Sequence, residues 1–499
     1  MNSAVPSDSA LVLGVAEDLD PVGIRSVALG REIRIAEPLV ASLAAIREAA
    51  LAALQSPGPV YGVSTGMGDQ SRLALDPADR QGHQGRLMLG RAVGSPPWLT
   101  RRQARAALAV RLRTFLNGDA AVSAGLCEQL AALLNADVVP AVPSTGLGAA
   151  GEIIALAHLG ALVTGSGSAL DPDGVTARPA VRALAAAGLA PYPLAVKEGV
   201  ALLEGVPTTS ALAILASGRA RQLADRATVV AGTGIAVTRA HRDPYSALLA
   251  RRDAELTTAL ERIREIAGVD PQPRSLQAPL SFRVLGPALA HLDRCTSALD
   301  AAVERALSGV TDSPAFFGGT FVGSAGFDGF DLAAALDAVT VAACHLAETS
   351  AARLHRLLDD RVTGLPRQLT DSPGLHAGLV AVHKRAAGVV HRMRREAVPT
   401  CLGSIETSLG QEDVQSFSME SARTLGSALE GLAEVLACEL LGVHQAVRLG
   451  GRPVCVGADA HRLLDAADDA LPTGTSDRPF GRDIDALLML DGGAGDAVH

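Results

Sequence analysis

The sequence predicts a mainly α protein built around a bundle of long helices, and three observations carry that expectation. The apolar content is Ala, Leu and Val, with aromatics at only 3% of 499 residues, and Ala and Leu are strong helix formers. Leu332, Leu336, Val339, Ala343, Leu346 and Leu357 fall mostly on one helical face, as do Leu425, Leu429, Leu432, Leu436 and Leu440. These stripes do not alternate with strand patterns, and long apolar faces must be buried against other helices. The expected organisation is a loop-rich, mostly helical region over 1–205, a long-helix bundle over 206–450 and a peripheral tail over 451–499, whose Asp, Gly and Pro content marks it.

Taken in order, a polar leader precedes a short β-like piece, Ile33-Arg34-Ile35, and an amphipathic helix from Glu37 to about Gln55 that Pro57 and Pro59 stop. Val60–Gly68 is rich in Gly, Ser and Thr, hence a loop. Helices are expected over 77–91, 100–116 and from the Asn117-Gly118 turn to Asn135. Val138–Pro143 is extended, held out of the α region by its two prolines. A small-residue loop follows over 144–151, then a helix from Glu152 to about Leu162 and a turn or hairpin over 164–180. Long helices begin near Thr208, and Asp328 is a candidate N-cap for the helix carrying the first Leu stripe.

Lys plus Arg total 44 against 53 Asp plus Glu, a net charge of −9 without a basic run, which argues against nucleic-acid partners. The six cysteines are scattered without metal-finger or CxxC spacing, so no metal site and no disulfide framework is expected. The N-terminus lacks a signal-peptide pattern, and no apolar stretch reaches membrane length without polar interruption, so the expectation is a cytoplasmic protein with no membrane partner.

Gly146–Gly151 matches the GxGxxG pattern that cradles dinucleotides. Pro140 and Pro143 are ill suited to a central strand before it, and the helices downstream do not alternate with strands, so a dinucleotide site is not expected.

The same segment belongs to a better pattern. The proline-flanked run 135–143, Gly148-Ala149-Ala150-Gly151-Glu152 and Leu156-Ala157-His158 resemble the core segment of the aromatic amino-acid ammonia-lyases, the histidine and phenylalanine ammonia-lyase family. Tyr61–Gly68 is similar to that family's tyrosine loop. Lys197–Gly205, Gln277–Arg283 and Ser404–Asp413 are similar to three further family segments in the same order. The resemblance implies a histidine ammonia-lyase-like fold with long antiparallel helices, a homotetramer, and active sites lined by loops of more than one subunit.

Departures from the family carry the functional expectation. The family's Ala-Ser-Gly cyclises to an electrophilic methylidene-imidazolone whose methylidene carbon comes from the serine. Here Ala149, Ala150 and Gly151 stand at those positions, and Ala150 has no oxygen to lose. Leu280 stands in place of a second tyrosine, Glu204 of an asparagine, Glu152 of an aspartate, and Thr320 and Val322 of an asparagine and a histidine. So many changes together imply a rebuilt pocket rather than one inactivating substitution.

The resemblance makes Tyr61 the base and Arg283 the anchor for a substrate carboxylate, and bidentate guanidinium pairing suits the latter role. A tyrosine needs positive charge nearby to act near neutrality. Glu204 and Glu412 are expected in one cavity, where two carboxylates push one pKa upward and suit acid catalysis. Gln277 and Gln411 are expected as pocket hydrogen-bonders, and Arg91 and Leu280 as further substrate contacts; His83 and His158 read as structural. The function expected is a cofactor-free, prosthetic-group-independent lyase, isomerase or cyclase. It would act by acid–base chemistry on a carboxylate-bearing, amino-acid-derived small molecule in secondary metabolism. The alternative is a catalytically silent ligand-binding or scaffold paralogue.

Overall fold

The computed structural model describes residues 9–148, 150–269, 272–453 and 456–490. Two compact units are present, each assembled from separate stretches of chain: residues up to Leu215 with Leu299–Leu336 and Pro399–Arg423, and Ala216–Ala298 with Asp337–Val398 and the segment from Thr424 onward.

In the first unit, Leu11–Leu13 pairs in parallel with Ile33–Ile35, the short strand that the sequence predicts. Asn135 ties this pair down by accepting from the Ile33 amide and donating to the Ile33 carbonyl, both at 2.9 Å. The helix Glu37–Ala53 ends two residues before the expected Gln55. Helix Arg101–Leu116 opens on Thr100 and Gln103, which satisfy each other's backbone amides in a capping box. It is buried along its whole length from Ala104, so Arg105, Arg111 and Arg113 must find partners inside the protein. Arg105 does so through the Val27 and Leu134 carbonyls and Asp137.

The proline-flanked run contributes only a two-residue strand, Val139–Pro140, at the edge of a three-stranded antiparallel sheet completed by Ser168–Leu170 and Ala177–Pro179. That is the hairpin expected over 164–180, and an edge position is where a proline can sit without a missing ladder bond. Ala315–Phe317 and Thr320–Val322 form a second hairpin, turned by Gly318 and Gly319, both at positive φ.

Long helices dominate the rest: Pro207–Val237, Leu285–Ser308, Phe330–Leu357 and Ser418–Gly450. Asp328 accepts from the Phe330 amide at 3.1 Å from one residue outside the cap position of the third of these, which Gly329 occupies: the Gly329 carbonyl takes the first intrahelical bond, from the Ala333 amide. Within the second unit, Arg353 and Glu439 form a fully buried ion pair at 2.6 and 2.8 Å, with the Ser350 hydroxyl donating to the same carboxylate. The C-terminal stretch is helical over Ala458–Ala470 and Phe480–Met489. Its Asp and Gly content hides two short apolar stripes, Leu463/Leu464/Ala467 and Ile484/Leu487, which are buried.

The stretches Glu198–Val237 and Phe330–Leu357 are long and apolar enough to cross a membrane by length and composition, and both are mostly buried inside the protein, as core helices are.

Candidate functional site

Tyr61 stands on a loop whose shape is set by glycines. Gly62 and Gly68 adopt φ of +66° and +62°, conformations that cost a non-glycine residue strain. At Gly62 a Cβ would also meet Val200 Cγ2 at 2.6 Å. The Tyr61 hydroxyl accepts from the Gly68 amide at 2.8 Å, closing the loop on itself. Gln84, fully buried on helix Arg80–Arg91, donates to the Gly62 carbonyl and accepts from the Gly199 and Val200 amides. One side chain therefore stitches the tyrosine loop to the short helix Glu198–Leu203 that delivers Glu204.

A cavity of about 1260 Å³ opens in the first unit, and Tyr61, Arg91, Ala150, Glu204, Gln411 and Glu412 all line it. Six residues singled out in the sequence are thus brought together from separate stretches of chain. Phe321, Phe327 and Phe330 form its aromatic part. Thr320 and Val322 are not among its lining residues; Phe321 between them is, because alternate residues of a strand face opposite ways.

Glu412 Oε2 accepts from the Ala150 amide at 3.3 Å and from the Thr407 hydroxyl at 2.6 Å. Glu152, next to the small-residue loop, has a different task. Its carboxylate is buried and accepts from the Thr208 and Thr209 amides at 2.7 and 2.5 Å, capping the exposed donors at the start of helix Pro207–Val237. Burial pushes this carboxyl upward and the bonds from Thr209 and Thr208 pull it back. Ala149 lies outside the described residues.

The electrostatics of the cavity wall separate the groups. Glu204 is pushed up to about 8, first by burial and then by Asp312, with Lys197 and Arg111 opposing. It therefore holds its proton at neutral pH. Tyr61 is raised as well: burial leads, the Gly68 amide opposes, Glu204 and Glu412 raise it, and Arg91 lowers it. The expectation of a phenol primed as a base is not met by its own surroundings, because burial and two carboxylates outweigh a single guanidinium. Arg91 closes its helix at the cavity edge; among the described residues it has no ion-pair partner and donates only to the Leu87 carbonyl at 3.5 Å.

Behind the wall lies a charge cluster that sequence reasoning did not assemble. Lys197, itself at φ +79°, meets Asp312 at 2.5 Å, both buried. Arg111 donates to the Glu204 carbonyl, lies over the Phe115 ring at 4.9 Å and is drawn down to about 10 by burial, so it stays cationic. Asp119 is pushed up to about 6 by burial and by Asp312. The only sequence signal was a charge inside the short apolar run 106–112, at Arg111, and a lysine opening an apolar run, at Lys197.

Arg283, Gln277 and Leu280 belong to the second unit. Arg283 closes the four-residue helix Leu280–Arg283, and its Nε is buried without a hydrogen-bond partner; no carboxylate among the described residues lies within ion-pair distance. Gln277 is exposed and Leu280 is 61% exposed. His158 accepts from the Gly94 amide at 3.0 Å, and burial lowers both it and His83.

A family model described as aromatic amino acid lyase matches residues 19–469. The chain belongs to the aromatic amino acid lyase family. It is 34% identical to a histidine ammonia-lyase of Streptomyces coelicolor over 443 residues, 84% of each chain. It is 31% identical to a histidine ammonia-lyase of Rhodospirillum rubrum over 498 residues, 95% of each. In structure it is similar to tyrosine aminomutase from Streptomyces globisporus, with a TM-score of 0.89 at 26% identity, covering 98% of this chain and all of that one. It is equally similar to ergothionase from Treponema denticola, with a TM-score of 0.90, where 22% identity speaks to the fold alone. The mostly helical fold of the aromatic amino acid lyase family is thus present, as the sequence motifs implied.

The methylidene-imidazolone group associated with this family does not fit these residues. Ala150 presents a methyl group where the cyclisation needs a hydroxyl to leave as water. Its amide is instead engaged by the Glu412 carboxylate.

Proposed function

We propose that this aromatic amino acid lyase family member is an acid–base enzyme that works without the prosthetic electrophile, acting on a carboxylate-bearing, amino-acid-derived small molecule. The observation that carries the reading is a buried Glu204, whose carboxyl burial pushes upward, and a hydrogen-bonded Glu412 on one cavity wall, with Arg91 beside them lacking an ion-pair partner among the described residues. Two carboxyl groups in unlike environments are how one site supplies both an acid and a base.

In the elimination form of the reaction, Glu412 takes the proton from the carbon bearing the substrate carboxylate or its neighbour. The C–H electrons form the new double bond as the C–N or C–O bond breaks, and Glu204 protonates the departing nitrogen or oxygen. In isomerisation or cyclisation the same two proton transfers occur without loss of a fragment. With no electrophile to assist, the C–H bond must already be acidic or the leaving group good. Arg91 holds the carboxylate from within the first unit. Tyr61 keeps its proton and serves as a donor unless further positive charge reaches it.

A homotetramer accompanies this reading. Leu402, Ile405 and Leu409, beside Glu412 in sequence, are 69%, 68% and 92% exposed, apolar surface suited to cover by another copy of the chain.

The test is untargeted mass spectrometry of a metabolite extract of the source organism incubated with wild-type protein, Tyr61→Phe and Glu204→Gln. A species consumed by the wild type and spared by Glu204→Gln is expected, and its mass change separates elimination from rearrangement. Identical profiles for all three proteins would sink the enzyme reading in favour of a ligand-binding or scaffold role.

A further inference from the structure

Gln415 is buried three residues beyond Glu412 and does not line the cavity. Its side-chain nitrogen Nε2 donates to the Ile405 carbonyl at 2.8 Å and to the Thr407 hydroxyl at 3.2 Å. Its oxygen Oε1 is buried with no hydrogen bond among the described residues, so the side chain acts here only as a donor. Reversed, the amide would set that oxygen against the Ile405 carbonyl oxygen, which fixes its orientation. The Thr407 hydroxyl is fixed in turn. It has one proton, the Gln415 nitrogen can only donate to it, and so the proton goes to Glu412 Oε2 at 2.6 Å. The Ala150 amide donates to the same oxygen at 3.3 Å. Oε2 therefore accepts twice, while Oε1 of Glu412 has no hydrogen bond among the described residues and the side chain lines the cavity.

The backbone holds the same arrangement under strain. Thr407 and Glu412 also pair through their backbones, at 2.9 and 3.3 Å, across a turn in which Ser408 and Leu409 both adopt φ of +53°. Residues with side chains are strained in that region, and such strain persists only where the surroundings enforce it. Gln415 supplies part of that enforcement, because its backbone amide donates to Ser404 Oγ at 2.8 Å while its side chain grips Ile405. We propose that Gln415 and Thr407 are positioning residues for Glu412: the relay from Gln415 through Thr407 occupies Oε2 and leaves Oε1 as the oxygen that takes the substrate proton. This rests on the reading of Glu412 as the site's base. In the elimination, Oε1 gains the proton and the C–H electron pair stays with the substrate to form the double bond. The departing nitrogen or oxygen takes the proton of Glu204. Oε2 keeps both hydrogen bonds throughout, so the carboxylate need not turn during the transfer.

Three variants test the relay. Thr407→Val keeps the shape and removes the hydroxyl, Thr407→Ser keeps the hydroxyl, and Gln415→Met keeps the length and removes the donor. On the species that the wild type consumes, Thr407→Val is expected to lower kcat about 10–100-fold, the worth of one hydrogen bond to a charged group, with KM little changed. Gln415→Met lowers kcat less, because the hydroxyl still reaches Glu412, and Thr407→Ser stays near wild type. Hydrogen exchange at the Ala150 amide reads the placement of the carboxylate without any substrate. It should quicken in Thr407→Val and Gln415→Met and match wild type in Thr407→Ser. Wild-type kcat or wild-type exchange in a folded Thr407→Val overturns the proposal. So does an equal loss in Thr407→Ser, since the turn and not the hydroxyl would then matter. Gln415→Met carries the same test if Thr407→Val fails to fold. Glu412→Gln separates this proposal from the reading beneath it: inactive beside an unaltered Thr407→Val, it removes the relay alone, whereas full activity in Glu412→Gln removes the base assignment itself.

Discussion

Replacing Glu204 with glutamine has a consequence for folding that can be worked out before any substrate is known. In the folded protein this carboxyl titrates at about 8, against an ordinary value of 4.5. Between those values the native state binds a proton that the unfolded chain has released, so stability falls as pH rises. Below 4.5 both states are protonated and nothing is lost; above about 8 the loss is complete. Each pH unit in the window costs about 1.4 kcal/mol, for a ceiling of ~5 kcal/mol. A glutamine at this position cannot titrate, so the variant gains on wild type by that slope from about pH 5 to 8 and then holds a constant margin. Asp119, raised to about 6, adds its own slope to both proteins and drops out of the difference. The assay is urea or thermal unfolding of the two proteins at matched concentration across about pH 4.5–9, since oligomers melt in a concentration-dependent way. Parallel curves would show that Glu204 carries no proton at neutral pH, and the proposed acid would be lost with it.

Other perturbations test other parts of the structure. Glu152→Ala should lower stability by about 1–3 kcal/mol, because two amides at the start of helix Pro207–Val237 lose their acceptor, and circular dichroism melts would read it; an unchanged melt would mean that water replaces the carboxylate. Glu439→Gln, which strands the Arg353 charge, should cost about 3–5 kcal/mol in denaturant unfolding, with a smaller loss for a double replacement of both partners by apolar residues. Gly199→Ala should be destabilising by about 1–3 kcal/mol, since its Cβ would meet the Gln84 carbonyl oxygen at 2.4 Å; a melt equal to wild type would show that the two helices separate freely.

Much of the fold was legible because it is local. Ile33–Ile35 shows as a strand through its β-branched residues, and the long helices through their leucine spacing. Where local composition misleads, tertiary burial decides: the Asp-rich C-terminal stretch is helical because Leu463, Leu464, Ile484 and Leu487 find a core. The cavity's membership was legible for Tyr61, Glu204, Gln411 and Glu412, since each lies in a motif. Its electrostatics were not. The sign of the Tyr61 shift depends on burial and on which charges arrive from distant segments. The Lys197–Asp312 pair joins residues 115 positions apart, a juxtaposition that no spacing rule reveals.

The single amide side chain of Gln84 has an implication for how this pocket can change. Because it grips Gly62 on one side and Gly199 and Val200 on the other, the phenol of Tyr61 and the carboxyl of Glu204 ride on a common frame. Tilting the loop drags the acid with it, so new substrates cannot readily be accommodated by adjusting those two groups one at a time. Arg91 and Glu412 hang from other elements, the end of one helix and a Thr407-anchored turn. Variation in what the pocket accepts is therefore expected to accumulate at these two positions while the Tyr61–Gln84–Glu204 frame stays unaltered.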